Sequence, residues 1–325
     1  MITIIIPAYN AEATILNAVE SCLKSECIAK VIVVADAPTD KTVELLTGVS
    51  YNPDIVEIIE LEDNVGAGAC RNMGIEKVIT SHIAFLDADD TINAYSFDTV
   101  FNDMASGCDL AVGCYKYCKC EHQLDASKMT LGDERVISSI LQSQDKIVLE
   151  ADLISKLLLL VNYPWNKIYR TDFIRKYGIK FQTIPVHNDI LFHWSCLIQA
   201  SRVLLHRAIM VNHFVFDNRN QMTNDTSERR LSVFSALHAV KEIALNSKRE
   251  TSAYFYQFLE VILPWTLRQI DIQHRDKFVE RLQMLLMDYT IREFNQVYEE
   301  QPIVACNMMI LKNTPSKITH PNFKL

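Results

Sequence analysis

The sequence predicts an α/β protein whose core is a parallel, doubly wound sheet. Nearly continuous apolar runs occur at residues 2–6, 31–34, 55–59 and 83–86. Unbroken apolar runs are typical of strands covered on both faces, as the strands of parallel sheets are. Segments with helical spacing separate the runs, and strands that alternate with helices indicate parallel connections.

Each predicted element has a local signal. Pro7 stops the first run, and a helical pattern then covers residues 11–25. A second helix is expected from Thr39, with Thr39 or Asp40 as its cap. A third helix opens at Gly66 and extends to residue 79. The predicted order is therefore strand and helix in strict alternation up to the fourth run.

Three carboxylates, those of Asp87, Asp89 and Asp90, follow the fourth run directly, at the end of a predicted buried strand. Carboxylates this close repel one another, so a cation that shares their charge would stabilise them. Oxygen ligands of this type suit Mg²⁺ or Mn²⁺. The alternative is a solvated turn that starts a helix at Asp90 or Thr91, with acids favoured near its N-terminus.

Polar residues also follow the other three runs, and they favour the first interpretation. Tyr9 and Asn10 follow the first run, Asp36 the second and Asn64 the third. In open α/β sheets, ligands bind in the crevice outside the carboxyl ends of the strands. The sequence therefore predicts one site, at the edge where these four segments meet.

Four motifs at these positions resemble the successive signatures of family 2 glycosyltransferases. They are Pro7-Ala8-Tyr9-Asn10, residues 36–42 (DAPTDKT), residues 64–75 (NVGAGACRNMGI) and residues 85–90 (FLDADD). The resemblance covers roughly the first hundred residues in order and spacing. It implies a GT-A fold, a nucleoside-diphosphate-sugar donor, Mn²⁺ or Mg²⁺ as cofactor, and transfer with inversion of the anomeric centre.

The resemblance also implies roles for single residues in donor binding. Pro7, Ala8, Tyr9 and Asn10 would border the nucleoside, and Asp36 would face the base. Gly66 and Arg71 would lie near the nucleotide or diphosphate, Asp87 and Ala88 near the ribose or sugar, and Asp89 would bind the metal. For Arg71 the alternative is an exposed cation on a helix surface.

One departure from the family concerns the turn after the second strand. The family usually has two acids followed by Gly-Ser, whereas this chain has Ala35, Asp36, Ala37 and Pro38. The acid that the family uses for the nucleoside is retained. UDP is expected as the donor nucleotide from the family alone.

Inversion requires a base opposite the leaving group, and Asp189 resembles the family's base. In the family a Glu-Asp pair opens a helix on the acceptor side, whereas this chain has Asn188, a candidate acceptor contact, and Asp189. A neutral neighbour removes a like charge, which should ease ionisation of Asp189. The alternative is that Asn188 or Asp189 caps the helix over residues 190–197.

Two later segments supply further candidates. Trp165 and Lys167 belong to a segment that resembles the Trp-Asn-Lys-Leu-Tyr stretch of bacterial surface-polysaccharide members, where a ring face and a donor suit a sugar acceptor. A packed connection with Trp165 in the core is equally compatible. His213 is a candidate metal ligand and Arg219 a candidate diphosphate contact, although a lone His on a strand is more often structural.

The expected domains are a GT-A catalytic domain over residues 1–224 and a mainly helical C-terminal subdomain over residues 225–325. The catalytic domain divides into a nucleotide-sugar-binding half, 1–110, and an acceptor half, 111–224. Apolar residues recur at helical spacing in the subdomain, and Pro264 interrupts the middle segment. We expect these helices to pack on the catalytic domain or on another copy of the chain.

Composition narrows the class of protein. The 325 residues carry a net charge of −8, which argues against nucleic acid as a tightly bound partner. The sequence has no signal pattern before the first strand and no apolar segment of membrane-spanning length, so we expect a cytoplasmic protein. Docking to a membrane that carries a lipid-linked glycan acceptor is a second possibility. The nine cysteines should be reduced. Cys114, Cys118 and Cys120 lack a paired zinc spacing and are expected on a β-hairpin.

Three other functions are alternatives to glycosyl transfer. Residues 66–71 superficially resemble a dinucleotide fingerprint, but Arg71 occupies the third glycine position and the segment follows a later strand. A sugar nucleotidyltransferase would need a Gly-rich, Arg-containing loop after the first strand, which is lacking. A non-catalytic homologue that binds nucleotide sugar as a scaffold stays open, because Ala35 and Asn188 depart from the family. The donor sugar, the acceptor and the linkage depend on loop shapes that the sequence does not specify.

Overall fold

The computed structural model of the chain describes residues 1–104, 107–118, 129–150, 152–215, 225–247, 249, 251–287 and 290–313. The centre is a mixed nine-stranded sheet in the order β3-β2-β1-β4-β8-β6-β9-β5, with β7 paired to β9. The strands are β1 (Ile2–Ala8), β2 (Ile28–Ala35), β3 (Val56–Glu60), β4 (His82–Phe85), β5 (Thr91–Ile92), β6 (Leu110–Cys118), β7 (Lys146–Glu150), β8 (Lys167–Arg170) and β9 (Arg202–Phe214).

Helices connect the strands and continue after the last one. They are α1 (Ile15–Leu23), α2 (Thr42–Gly48), α3 (Ala67–Lys77), α4 (Ala94–Asp103), α5 (Leu131–Leu141), α6 (Asp152–Ser155), α7 (Thr171–Lys176), α8 (Ile190–Gln199), α9 (Val233–Leu245), α10 (Ser252–Gln269), α11 (Arg275–Met287), α12 (Ile291–Glu300) and α13 (Pro302–Asn313). The predicted α/β class with a mainly helical C-terminal part is confirmed.

The N-terminal half is the parallel sheet that the apolar runs predict. β1 pairs in parallel with β2 and β4, and β2 pairs in parallel with β3. Successive side chains of a strand point to opposite faces, so Ile5 joins one apolar core while Ile4 and Ile6 join the other. All three are fully buried, which explains why the run is uninterrupted.

The second helix begins later than predicted. α2 starts at Thr42, and its N-cap, Lys41, makes no side-chain cap hydrogen bond. The Asp40 carboxylate instead accepts hydrogen bonds from the main-chain N–H and the hydroxyl of Thr42. Asp40 thus satisfies the first turn of the helix from outside it, and the prediction of a helix from Thr39 is wrong.

Beyond β4 the sheet is not parallel throughout, which corrects the prediction. β8 is antiparallel to both β4 and β6, whereas β6 is parallel to β9. The described residues also do not form the hairpin expected around Cys114 and Cys118, because the hydrogen-bonded neighbours of β6 are β8 and β9. Both thiols are buried, and Cys120 lies outside the described residues.

The C-terminal helices pack against the α3 face of the sheet. One apolar cluster runs from Ile5 and Phe85 through α8 to residues of α9, α10, α11 and α13. α10 continues through Pro264, so the predicted interruption does not occur. Among the described residues, no helix is long and apolar enough to cross a membrane. Oligomerisation through these helices stays a prediction.

Candidate active site

Hydrogen bonds draw the turns after β1 and β2 together at the carboxyl end of the parallel strands. Pro7 and Ala8 are the last residues of β1, and Tyr9 beyond them is 53% exposed. The Asn10 side-chain oxygen accepts a hydrogen bond of 2.8 Å from the main-chain N–H of Thr39. The first predicted motif therefore lies where the sequence places it, with Tyr9 open to solvent.

Asp36 joins the turn after β2 to the start of α3. Its two carboxylate oxygens accept hydrogen bonds from the main-chain N–H groups of Val65, at 2.7 Å, and Gly66, at 2.9 Å. Gly66 has φ +88°, a conformation that glycine adopts without steric cost. Asp36 is 3% exposed, so its carboxylate shapes the site wall. Its contact with a nucleoside base stays a prediction.

The altered turn has an unusual backbone at Ala37. Its φ of +49° lies in the left-handed region, where a side chain is disfavoured and glycine is favoured. This is the position at which the family resemblance expects glycine, and the chain keeps the backbone shape without that residue. Next to the turn is an open cavity of about 670 Å³ lined by Ala37, Pro38, Thr39, Glu60, Leu61 and Glu62.

Arg71 is a buried bridge and not a surface cation. Its guanidinium donates to an Asp87 carboxylate oxygen at 2.6 Å and to the Asn188 side-chain oxygen at 2.9 Å. It also lies 5.2 Å from the centre of the Phe181 ring. Only 6% of Arg71 is exposed, so the alternative of an exposed helix cation is wrong. Arg71 thereby connects the acid tract after β4 with the segment that carries Asp189.

The acid tract does not start a helix. Thr91 and Ile92 form β5, and α4 begins only at Ala94, where the Asn93 side chain accepts from the Ser96 N–H. Asp87 and Asp89 are partly exposed, whereas Ala88 and Asp90 are buried. The tract is therefore an irregular loop that presents two carboxylates at the edge of the sheet and turns the third inward.

The inward carboxylate belongs to Asp90, which we did not assign to the site from the sequence. It lies 2.8 Å from Nδ1 of His213 and accepts a hydrogen bond of 2.9 Å from the Phe214 N–H. Burial raises the pKa of Asp90 to about 7. Burial lowers the pKa of His213, but the Asp90 charge outweighs burial, and the pKa lies above its ordinary value. Because Nδ1 faces Asp90, Nε2 is the ring nitrogen that faces away from it.

Asp189 is the N-cap residue of α8, although its side chain makes no cap hydrogen bond. The Asn188 side chain is bound to Arg71 instead. The cap alternative is therefore correct for the position of Asp189 and wrong for Asn188. Loss of solvation raises the pKa of Asp189 to about 6, with the Arg71 cation acting in the opposite direction. A carboxylate with this pKa is suited to accept a proton near neutral pH.

Trp165 and Lys167 are buried in the core. The Trp165 ring is 0% exposed and stacks on Tyr163 and His213, with ring centres 4.7 and 5.1 Å apart. The Lys167 ammonium donates to the Tyr163 carbonyl oxygen and the Asn166 side-chain oxygen, and burial lowers its pKa to about 8. The structure thus gives Trp165 a packing role in place of the exposed ring face that an acceptor contact requires. Arg219 lies outside the described residues.

Gly68 is required for the approach of α3 to the segment before Asp189. A Cβ atom at Gly68 would overlap the Gln182 carbonyl oxygen, a main-chain atom. We expect Gly68→Ala to lower the free energy of unfolding by about 1–3 kcal/mol, because the backbone must shift. Thermal and urea unfolding would measure the loss.

Gly132→Ala is the matched control for this prediction. Gly132 is also the second residue of its helix, α5, and its nearest new contact would be 3.9 Å away. Alanine should stabilise this helix by about 0.5–1 kcal/mol. Equal stability of the two variants would contradict the close contact at Gly68.

The structure has the GT-A fold of solved glycosyltransferase structures. Crystal structures of TarS from S. aureus superpose with a TM-score of 0.71 over 98% of this chain and 54% of that chain, at 16% identity. The structure of TarS 1–349 in complex with UDP-GlcNAc superposes with a TM-score of 0.70 over 99% of this chain and 93% of that one, also at 16% identity. A mannosyltransferase, PcManGT from Pyrobaculum calidifontis in complex with GDP-Man and Mn²⁺, gives a TM-score of 0.55 at 11% identity over 98% of this chain and 84% of that one.

Sequence comparison then defines the family. Residues 3–178 match the profile of glycosyl transferase family 2, which covers more than half of the chain. The chain belongs to this family. It is 30% identical over 203 residues to YibD, an uncharacterised glycosyltransferase of Escherichia coli K12, a match that covers 62% of this chain. The chain spans 57% of the length of that relative.

Proposed function

We propose that the protein is an inverting glycosyltransferase that moves a sugar from a nucleoside-diphosphate sugar, UDP in the first instance, to a hydroxyl of a glycan or lipid-linked glycan. The observation that carries the proposal is the Arg71 bridge. The Arg71 guanidinium binds both Asp87, in the acid tract, and Asn188, the residue before Asp189. A donor-side acid and a candidate base are thereby held at the same edge of the sheet.

The donor side consists of the turn after β2 and the acid tract. We assign the nucleoside to the open cavity beside Ala37, Pro38 and Thr39, and the ribose or sugar to Asp87. UDP is the nucleotide bound in the TarS complexes, and the same nucleotide is our first probe. A panel of UDP-, GDP- and dTDP-sugars, assayed with Mn²⁺ for release of the nucleoside diphosphate, would identify the donor.

The residues at this edge fit a divalent metal ion. Mg²⁺ and similar ions are often held by one or two carboxylates together with substrate phosphates, so a full set of protein ligands is not needed. Among the described residues, no group of three or more His, Cys, Asp or Glu side chains converges to hold a metal ion. Asp89 would hold the ion, with His213 as a second ligand through Nε2, and the bound ion would supply positive charge opposite the departing diphosphate.

The chain's own residues would carry out a single displacement. The acceptor oxygen attacks the anomeric carbon as the bond from that carbon to the diphosphate oxygen breaks, and Asp189 takes the proton of the acceptor hydroxyl. Arg71 keeps Asp87 and the Asn188 segment in register, which fixes the base relative to the donor. Asp90 orients His213 through Nδ1, so Asp90 is a positioning residue.

The proposed base predicts an acid limb in the pH profile. Because Asp189 must be ionised and its pKa is about 6, kcat/KM should fall about tenfold for each pH unit below about 6. Arg71 and Lys167 favour the ionised form, and Asp87 opposes it. Steady-state rates measured from about pH 5 to 8 test this.

Burial also raises the pKa of Asp90, to about 7, so the Asp90–His213 pair needs a control. In His213→Gln the rate should drop overall, but the midpoint of the acid limb should stay near 6. The variant removes the imidazole, and Asp90, which loses the His213 charge that lowers its pKa, should stay protonated below pH 6. If the acid limb disappears in His213→Gln, the limb belongs to the Asp90–His213 pair, and the pH profile no longer supports Asp189 as the base.

The stereochemistry of the product tests the proposed reaction. A single displacement inverts the anomeric centre, so an α-configured donor should give a β-linked product, which proton NMR of the first turnovers can distinguish. An α-linked product would contradict the proposal, since retention requires a different sequence of steps at the anomeric carbon.

A further inference from the structure

The loop that leads into Asp189 is bound by the helical segment after β9. The Ser232 hydroxyl donates to the Val186 carbonyl oxygen at 2.8 Å and accepts from the Val186 N–H at 3.3 Å. One side chain thus satisfies both main-chain polar groups of a loop residue. Val186 is 7% exposed, so water has little access to replace these bonds.

The next residue, His187, has a strained backbone. Its φ of +65° lies in the left-handed region, which costs a residue with a side chain about 1–2 kcal/mol. The His187 ring meets the Trp265 ring of α10 edge to face, with centres 5.8 Å apart. The guanidinium of Arg230 lies 4.9 Å from the centre of the same Trp265 ring. Strained conformations persist where the surroundings determine them, and here the surroundings are helical residues.

The residue between His187 and Asp189 is held from the opposite side. The Asn188 side-chain oxygen accepts from Arg71, and the Asn188 main-chain carbonyl oxygen accepts from the Gln182 N–H at 3.2 Å. The Asp189 carbonyl oxygen then accepts from the His193 N–H at 2.9 Å, within the first turn of α8. The chain is therefore fixed on both sides of the strained residue, and the helical segment provides one of the two attachments.

We propose that Ser232 and Trp265 are positioning residues for Asp189. By holding the loop at Val186 and His187 they set the direction in which the Asp189 carboxylate enters the site. The inference rests on the proposed role of Asp189 as the base. A misplacement of about 1 Å in a reacting group can cost roughly 10²-fold in rate. We therefore expect Ser232→Ala to lower kcat about 10- to 100-fold without weakening donor binding.

The full chain offers a matched control in the same turn. The Ser227 hydroxyl also accepts a hydrogen bond from a main-chain N–H, that of Arg229 at 3.3 Å, which lies within its own helical turn. Ser227→Ala should leave kcat unchanged. Ser232→Thr keeps the hydroxyl and should restore most of the activity, which separates a positioning role from general loss of stability.

A double-mutant cycle with Asp189→Asn shows whether Ser232 acts through the base. If it does, Ser232→Ala should cause no further loss of the residual rate in the Asp189→Asn background. The assay uses the nucleotide sugar selected by the panel, beginning with UDP-GlcNAc and Mn²⁺, and calorimetry for donor affinity. Trp265→Phe should show the same pattern with a smaller loss.

The outcomes separate this inference from the proposed function. Parent-like kcat in Ser232→Ala, or an equal further loss in the Asp189→Asn background, would overturn the positioning role while the base assignment stood. A parent-like rate in Asp189→Asn, or no turnover by the parent with any donor, would overturn the base itself and this inference with it.

Discussion

We expect Asp189→Asn to lower the rate of sugar transfer by about 10²–10⁴-fold, the range that general base catalysis contributes. The amide has the size of the carboxyl but cannot accept the proton of the acceptor hydroxyl at neutral pH. Because Arg71 is bound to Asn188 and Asp87 and makes no hydrogen bond to Asp189, the donor side should keep its shape. Steady-state kinetics would give the loss, and calorimetry with the donor should show unchanged affinity.

Asp54→Asn is the matched control for this substitution. Asp54 is an exposed aspartate in the loop before β3, at the opposite edge of the sheet from the site. The same chemical change there should leave the rate at the parent value. A parent-like rate in Asp189→Asn would mean that another group takes the proton.

We expect turnover to be stimulated by Mn²⁺, and we expect Asp89→Ala to remove this stimulation and to lower the rate roughly 10³-fold. The positive charge of a metal ion beside the negatively charged leaving diphosphate stabilises the transition state by several kcal/mol, which corresponds to a loss of this size. Titration of nucleoside-diphosphate release with Mn²⁺ measures the effect, and calorimetry should show donor binding that no longer depends on the ion.

The control for Asp89→Ala is Asp63→Ala, at an exposed acid in the segment before Gly66. It should respond to Mn²⁺ as the parent does. Retention of the full Mn²⁺ response in Asp89→Ala would contradict Asp89 as the metal ligand and leave Asp87 and His213 as the candidates.

The local part of the fold could be predicted from the sequence. β1, β2, β3 and β4 follow from apolar runs, because burial on both faces leaves a signal in each strand by itself. The edge that carries Asp36, Asp87 and Asp89 follows from the topology of parallel strands. The antiparallel entry of β8 leaves no such local signal, since pairing partners depend on the whole sheet.

The contacts that join distant segments could not be predicted. Arg71 and Asn188 are separated by 117 positions, and Asp90 and His213 by 123, so neither pair can be derived from spacing. The third carboxylate of the tract was the only hint of the Asp90 contact. The position of Trp165 could not be predicted either, because an aromatic residue in a polar segment can stack on a sugar or pack in the core. The structure buries Trp165 in the core.

We propose that one edge of the sheet holds a donor, a metal and a base for sugar transfer. This is tested by release of nucleoside diphosphate from the nucleotide-sugar panel with Mn²⁺ and a glycan acceptor, measured in parallel with donor binding for the parent, Asp89→Ala and Asp189→Asn. We expect turnover by the parent, loss of turnover together with the Mn²⁺ response in Asp89→Ala, and loss of turnover with donor binding intact in Asp189→Asn. Donor binding by all three proteins with no turnover by the parent would contradict it and favour a nucleotide-sugar-binding scaffold.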